Sequence, residues 1–156
     1  MYYEVYLHRR HLVQAVIEAF GPFGSHGWRI DAAACMRRGQ EFAKGVVQGF
    51  VDSEGSVDVR GSSIRIRIGT VNRTGMLDMI LLLKRLGYVA PLGGPSARGE
   101  YRVVLGVQAS VRYALEIGSR IEKKALRMRT ALSLRAPERL PTSHTAQRRR
   151  LVGSRS

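Results

Sequence analysis

Acidic side chains are scarce in this chain. Twelve Asp and Glu stand against 26 Lys and Arg among 156 residues, a formal net charge of +14. Such a surplus repels itself unless a polyanion shares it, and DNA, RNA or an anionic membrane would serve. Lysine is scarce as well: 22 of the 26 basic residues are Arg, whose planar fork pairs bidentately with phosphates and guanine edges. There is one cysteine, Cys35. It excludes a disulfide framework within one chain and suits a reducing compartment. A Cys/His zinc site would need more than Cys35 and the scattered His8, His11, His26 and His144. Long apolar runs are missing too. Met79–Leu83 is strongly apolar but far too short to cross a bilayer. Met1–Tyr6 lacks the charged start and apolar core of a secretory signal. No membrane partner is expected, and a cytoplasmic, nucleoid-associated location is the default. The length is enough for one domain with its own core.

What is present is a concentrated motif. Phe42-Ala43-Lys44-Gly45-Val46-Val47-Gln48 reads as helix, with Phe42, Val46, Gly49 and Phe50 on one face. Val57 and Val59 then alternate with Asp58 and Arg60, a strand pattern. Asp52 and Glu54 therefore fall at a helix-to-strand corner just before Gly55. Carboxylates gathered there can hold a hard cation, and Mg²⁺ is typically bound by one or two carboxylates plus substrate phosphates. A carboxylate near a helix C-terminus is disfavoured by the macrodipole, so two of them without a cation would be a cost without purpose.

The nine residues Val47-Gln48-Gly49-Phe50-Val51-Asp52-Ser53-Glu54-Gly55 resemble the signature of the LAGLIDADG homing endonucleases. Gly49, Asp52 and Gly55 match its letters, and Phe50, Val51, Ser53 and Glu54 are similar replacements. Val47 is a softer match, Gln48 departs from a small residue, and Glu54 lengthens a carboxylate by one methylene. The resemblance covers roughly residues 40–134. It implies an α+β fold of αββαββα type with an antiparallel DNA-binding sheet. The expected elements follow that order. A hairpin runs from Val57–Arg60 through Gly61-Ser62-Ser63 to Ile64–Ile68, and a helix from Met76 to Leu86 ends at Gly87. A second strand pair is expected at Tyr88–Ala90 and Tyr101–Leu105, joined by Leu92–Gly99. Helix resumes from Ser110 to about Leu134.

The resemblance also implies roles. Two signature helices pack together in this family, so a chain with one copy must act as a homodimer. Gly45 and Gly49, one turn apart, suit close backbone approach; the plainer reading is packing inside one domain. Glu54 becomes the direct metal ligand, helped by the main-chain carbonyl of Ser53, and Asp52 supports the turn. Mg²⁺ is the implied cofactor, with Mn²⁺ as a substitute. Asn72 is the candidate for ordering water at the metals, and Lys123 or Lys124 for standing beside the scissile phosphate. The plainer readings are a turn-forming Asn and two surface lysines.

Period-2 patterning puts Asp58, Arg60, Arg65 and Arg67 on the polar face of the first hairpin. A two-stranded ribbon fits the major groove, where Arg grips guanine and Asp accepts from cytosine. The plainer reading is a solvated sheet face. Arg98, Glu100 and Arg102 extend that surface, and Arg73, Arg112 and the tail are expected to add salt-sensitive phosphate contacts. The expected activity is hydrolysis of both strands of a long, nearly palindromic double-stranded DNA site, without a covalent nucleophile. A freestanding intron product is the expected origin. The alternatives are an intron RNA maturase or a non-cleaving DNA-binding regulator of the same fold; a basic structural protein leaves the motif without a reason.

Three units follow: an N-terminal extension over 1–38, the endonuclease domain over 39–134, and a basic tail over 135–156. In the extension, Met1–Tyr6 suits a strand and Leu12–Phe20 an amphipathic helix ended by Gly21. Extending the core, docking a partner subunit and touching nucleic acid are equally compatible with it. The tail, with Arg148-Arg149-Arg150, reads as a mobile basic arm or a solubilising end.

Overall fold

A computed structural model of the chain describes residues 26–135. The expected strand Met1–Tyr6, the helix Leu12–Phe20 and the basic arm after residue 135 lie outside the described residues.

The domain is α+β. Helices α1 (Ala32–Arg37) and α2 (Gln40–Glu54) lead into strands β1 (Gly55–Arg60) and β2 (Ser63–Thr70). Helix α3 (Arg73–Arg85), strands β3 (Leu92–Gly93) and β4 (Tyr101–Leu105), and helices α4 (Val107–Glu116) and α5 (Glu122–Arg135) follow. The sheet is antiparallel in the order β1-β2-β4-β3.

Alternation decides which face of the sheet is dry. Val57, Ile64, Ile66, Ile68, Val103 and Leu105 are buried, while Asp58, Arg60, Arg65, Arg67 and Arg102 are exposed. The helices supply the matching apolar surface: Ala43, Val47 and Val51 from α2, and Met76, Met79, Leu82 and Leu83 from α3. Ser110, fully buried at the start of α4, ties two strands together. Its hydroxyl accepts from the Ile66 N–H at 3.0 Å and donates to the Leu105 carbonyl at 2.9 Å.

Helix α3 begins earlier than its apolar pattern, because Asn72 caps it. It ends as expected at Gly87, which adopts φ +81°. The Gly87 N–H bonds to the Lys84 carbonyl and the Tyr88 N–H to the Leu83 carbonyl, the paired bonds of a Schellman ending.

Three expectations are corrected. Tyr88–Ala90 is not a strand; the partner of β4 is Leu92–Gly93. The Tyr88 ring is drawn into the core, where its hydroxyl donates to Glu116 at 3.0 Å, and Pro91 offers no N–H to a ladder. The Ser110–Leu134 helix is two helices, because the chain breaks at Ile117–Ile121 around Gly118 at φ +69°. The stretch from Trp28 to Arg38 is part of the domain rather than an extension of it. Ile30, Ala32 and Cys35 join the core, and the Asp78 carboxylate holds Arg29 at 2.6 Å and the Ile30 N–H at 3.1 Å.

Candidate functional site

Helix α2 has two faces of different fate. Ala43, Val47 and Val51 are fully buried against the domain's own sheet and helices. On the outer side Gly45, Val46, Gly49, Phe50 and Ser53 line a shallow, open, mainly apolar trough. A methyl group placed on Gly45 or Gly49 would meet none of the described residues within 4 Å. Among the described residues these glycines therefore serve no packing inside the domain. Phe50 is held at the trough's rim by Trp28, with ring centroids 4.6 Å apart.

The trough leads to the acidic corner. Gly55 turns helix into strand, and it must be glycine: a Cβ there would lie 2.6 Å from the Val51 carbonyl oxygen and 2.8 Å from its Cα. Asp52 and Glu54 occupy the last turn of α2, which carries no basic residue of its own. Their environments differ. Asp52 accepts from the Ser119 hydroxyl through Oδ1 and from the Arg120 N–H through Oδ2 at 3.0 Å. Glu54 is exposed and makes no hydrogen bond or ion pair among the described residues. The Ser53 hydroxyl folds back on the Gly49 carbonyl at 3.0 Å.

Lys124 of α5 crosses to the same turn. Its Nζ donates to the Val51 carbonyl at 2.7 Å and the Asp52 carbonyl at 2.8 Å. Burial lowers its pKa from the ordinary lysine value, against the opposing pull of the Asp52 and Glu54 charges. Lys123 is exposed and makes no bond at the corner, so of the two lysines it is Lys124 that the fold brings there. A helix presents successive residues about 100° apart, so the neighbour cannot share that position.

Asn72 is also placed differently from expectation. It is 5% exposed, its Oδ1 accepts from the Gly75 N–H at 2.9 Å and its Nδ2 donates to the Trp28 carbonyl at 2.6 Å. Its amide closes the N-terminus of α3 and pins Trp28, and its burial keeps it from ordering water at a metal. Arg112, expected on phosphate, is committed as well. It donates to the carbonyls of Leu86 and Gly87 and to Glu116, and its guanidinium lies 4.4 Å from the Tyr88 ring centre.

The arginine-bearing sheet face is assembled as its alternation demands. Ser56, Arg67 and Val104 lie side by side across three strands, as do Gly69, Arg102 and Gly93, and Asp58 opposes Arg65. Asp58 is not free: Arg67 Nη2 reaches its Oδ2 at 2.7 Å. Arg98 is exposed in the β3–β4 loop and Arg73 is exposed at the start of α3.

Gln48 and Ser119 were not singled out as site residues by sequence reasoning. Gln48 Nε2 donates to the Ile117 carbonyl at 2.8 Å, tying α2 to the α4–α5 link. Its signal was its departure from the small residue of the motif. The signal for Ser119 was the Gly118-Ser119 pair, a breaker inside a helical pattern.

A model of the LAGLIDADG-like domain matches residues 41–118, from the start of α2 to the break after α4. The chain belongs to the LAGLIDADG family. No curated protein matches it significantly. LAGLIDADG proteins are homing endonucleases and maturases that bind DNA and are generally nucleases. The match spans the motif helix, the acidic corner and the whole sheet, but stops short of Lys124. Among the described residues no helix is long and apolar enough to cross a membrane.

Proposed function

We propose that this LAGLIDADG protein is a site-specific homing endonuclease that works as a homodimer on double-stranded DNA. The observation that carries the reading is the trough. Among the described residues the outer face of the motif helix is open, apolar and uncovered at Gly45 and Gly49, and it runs to Ser53 beside Glu54, which has no partner there. A second copy seated there by a two-fold axis would bring two acidic corners together.

The donor set fits a hard divalent cation as half a site. Asp52 has spent both carboxylate oxygens on Ser119 and Arg120, and Lys124 covers the Val51 and Asp52 carbonyls. The Glu54 carboxylate and the Ser53 carbonyl remain as oxygen ligands. One chain offers no group of three or more His, Cys, Asp or Glu ligands among the described residues, so the second copy supplies the rest. Mg²⁺, with Mn²⁺ as a substitute, would bring Lewis acidity and water activation to phosphodiester hydrolysis. Glu54 holds charge at the reacting end, Asp52 fixes the turn that carries it, and Gly55 lets strand β1 leave without blocking it.

The face bearing Arg60, Arg65, Arg67 and Arg102 belongs to the sheet that β1 enters directly from the corner, so DNA held on it would run past Glu54. Asp58 holds Arg67, which favours Arg67 as a preorganised guanine reader over Asp58 as a cytosine acceptor. Arg73 and Arg98 suit phosphate contacts.

The test is cleavage of plasmid DNA carrying the uninterrupted insertion site, with Mg²⁺ and with EDTA. Mg²⁺-dependent cutting at one position, lost in Glu54→Gln while DNA binding persists, is the expected result. Tight binding without cutting by the unmodified protein would transfer it to the non-cleaving regulators, or to the maturases if the tighter ligand is intron RNA.

A further inference from the structure

We infer that Lys124 is a positioning residue for the acidic corner, the built-in cation that closes the C-terminus of α2 and sets where Glu54 stands. The inference rests on the endonuclease reading above and assigns Lys124 a role other than contact with a substrate phosphate.

The argument starts from an unfavourable arrangement. Helix α2 ends with Asp52 and Glu54 in its last turn and no basic residue there, at the end where the macrodipole is already negative. The last four carbonyls of a helix also lack intrahelical donors. Something outside the helix must supply positive charge and N–H groups. Lys124 supplies both: Nζ donates to the Asp52 carbonyl and joins the Gly55 N–H on the Val51 carbonyl. Two of its three protons are thereby engaged, and half-buried surroundings leave it little other solvation.

The grip is not confined to one bond. The Asp52 side chain is taken by Ser119 and by the Arg120 N–H, and Gln48, one turn earlier, donates to the Ile117 carbonyl. The α4–α5 link and the first turn of α5 thus hold the end of the motif helix through its side chains and through its backbone. Among the described residues Glu54 is the one acidic group of that turn left without a partner. A lysine swung out to a phosphate would strip the Val51 and Asp52 carbonyls of their cation. Lys123, exposed and without an ion pair among the described residues, is the lysine available to a polyanion.

The experiment compares full-length protein with Lys124→Met and Lys124→Arg. It follows melting without metal or DNA, Mn²⁺ binding to the free protein by paramagnetic resonance, and the salt dependence of binding to a generic duplex. Lys124→Met is expected to lower the melting temperature by roughly 5–10 °C and, below that temperature, to weaken Mn²⁺ binding about 10–100-fold. The salt slope is expected to stay unchanged, and Lys124→Arg to recover part of both losses. Unchanged melting and Mn²⁺ binding, with a salt slope reduced by about one, would make Lys124 a phosphate contact and overturn the proposal. Lowered melting with Mn²⁺ affinity intact would leave a structural lysine only and would also overturn it. Unmodified protein that binds no Mn²⁺ and cuts no DNA would refute the endonuclease reading itself, which the wild-type control reveals separately.

Discussion

Replacing Gly45 and Gly49 together by alanine tests the dimer with a change of sign. In an isolated domain the substitutions meet no steric obstacle among the described residues, since none lies within 4 Å of a Cβ at either position. Both glycines lie inside the fifteen-residue helix α2, where Gly is less favourable than Ala by about 0.8–1.0 kcal/mol per residue. A monomer would therefore gain about 2 kcal/mol, or something near 10 °C in melting temperature for a domain of this size. In a dimer joined through the trough, two methyl groups per chain enter the line of closest helix approach, and overpacking typically costs ~1–3 kcal/mol. The cost falls on association, so apparent stability becomes more dependent on protein concentration. Melting at two concentrations a hundredfold apart, with sedimentation equilibrium alongside, reads both quantities. The expected outcome is a dimer in the unmodified protein and a weakened dimer in the variant. A variant that melts some 10 °C higher at every concentration, with unchanged monomeric mass, would refute the trough as the dimer surface.

Other expectations follow from single side chains. Asn72→Ala removes the cap of α3 and the tie to Trp28, and should cost about 1 kcal/mol in denaturant unfolding. Cleavage should be retained wherever the variant is folded, since Asn72 faces inward. The Tyr88 hydroxyl is pushed up to about 12, first by burial and then by its bond to Glu116. A phenol raised in the folded state stabilises the fold fully below its unfolded pKa near 10. That stability is lost as pH rises through the folded value. Denaturant midpoints should therefore fall between pH 10 and 12, and Tyr88→Phe, weaker at neutral pH, should show a smaller fall. A variant with the same alkaline slope as the unmodified protein would place the effect elsewhere. Glu54→Gln should lose cleavage and keep binding.

How much was legible in the sequence can be judged element by element. Strands β1 and β2 were readable because period-2 alternation in Ile64–Ile68 and Val57–Arg60 leaves one way to bury the isoleucines. Helix α2 and its corner were readable because an apolar run meets D-x-E-G. The second hairpin was not: Tyr88 looks like a strand residue until the core claims its ring and Glu116 its hydroxyl. The last helix was overextended because helical periodicity on both sides outweighed Gly118.

By itself the sequence determined the charge imbalance, the alternating faces, the motif with its two carboxylates, and the glycines at 45 and 49. Each of these is local, set by neighbours a few residues away. The resemblance assigned Asp52 to the turn and Glu54 to the metal, and the tertiary structure supplied the donors behind that difference. Asp52 and Glu54 sit two residues apart with the same chemistry, and the Ser119 and Arg120 donors, 67 and 68 positions along, distinguish them. It also decided that Lys124 rather than Lys123 reaches the corner, and that Gly45 and Gly49 face outward. Those outcomes depend on how helices turn when they pack, and a one-residue shift on a helix rotates a side chain by about 100°. A single sequence does not carry that angle, and the packed domain does.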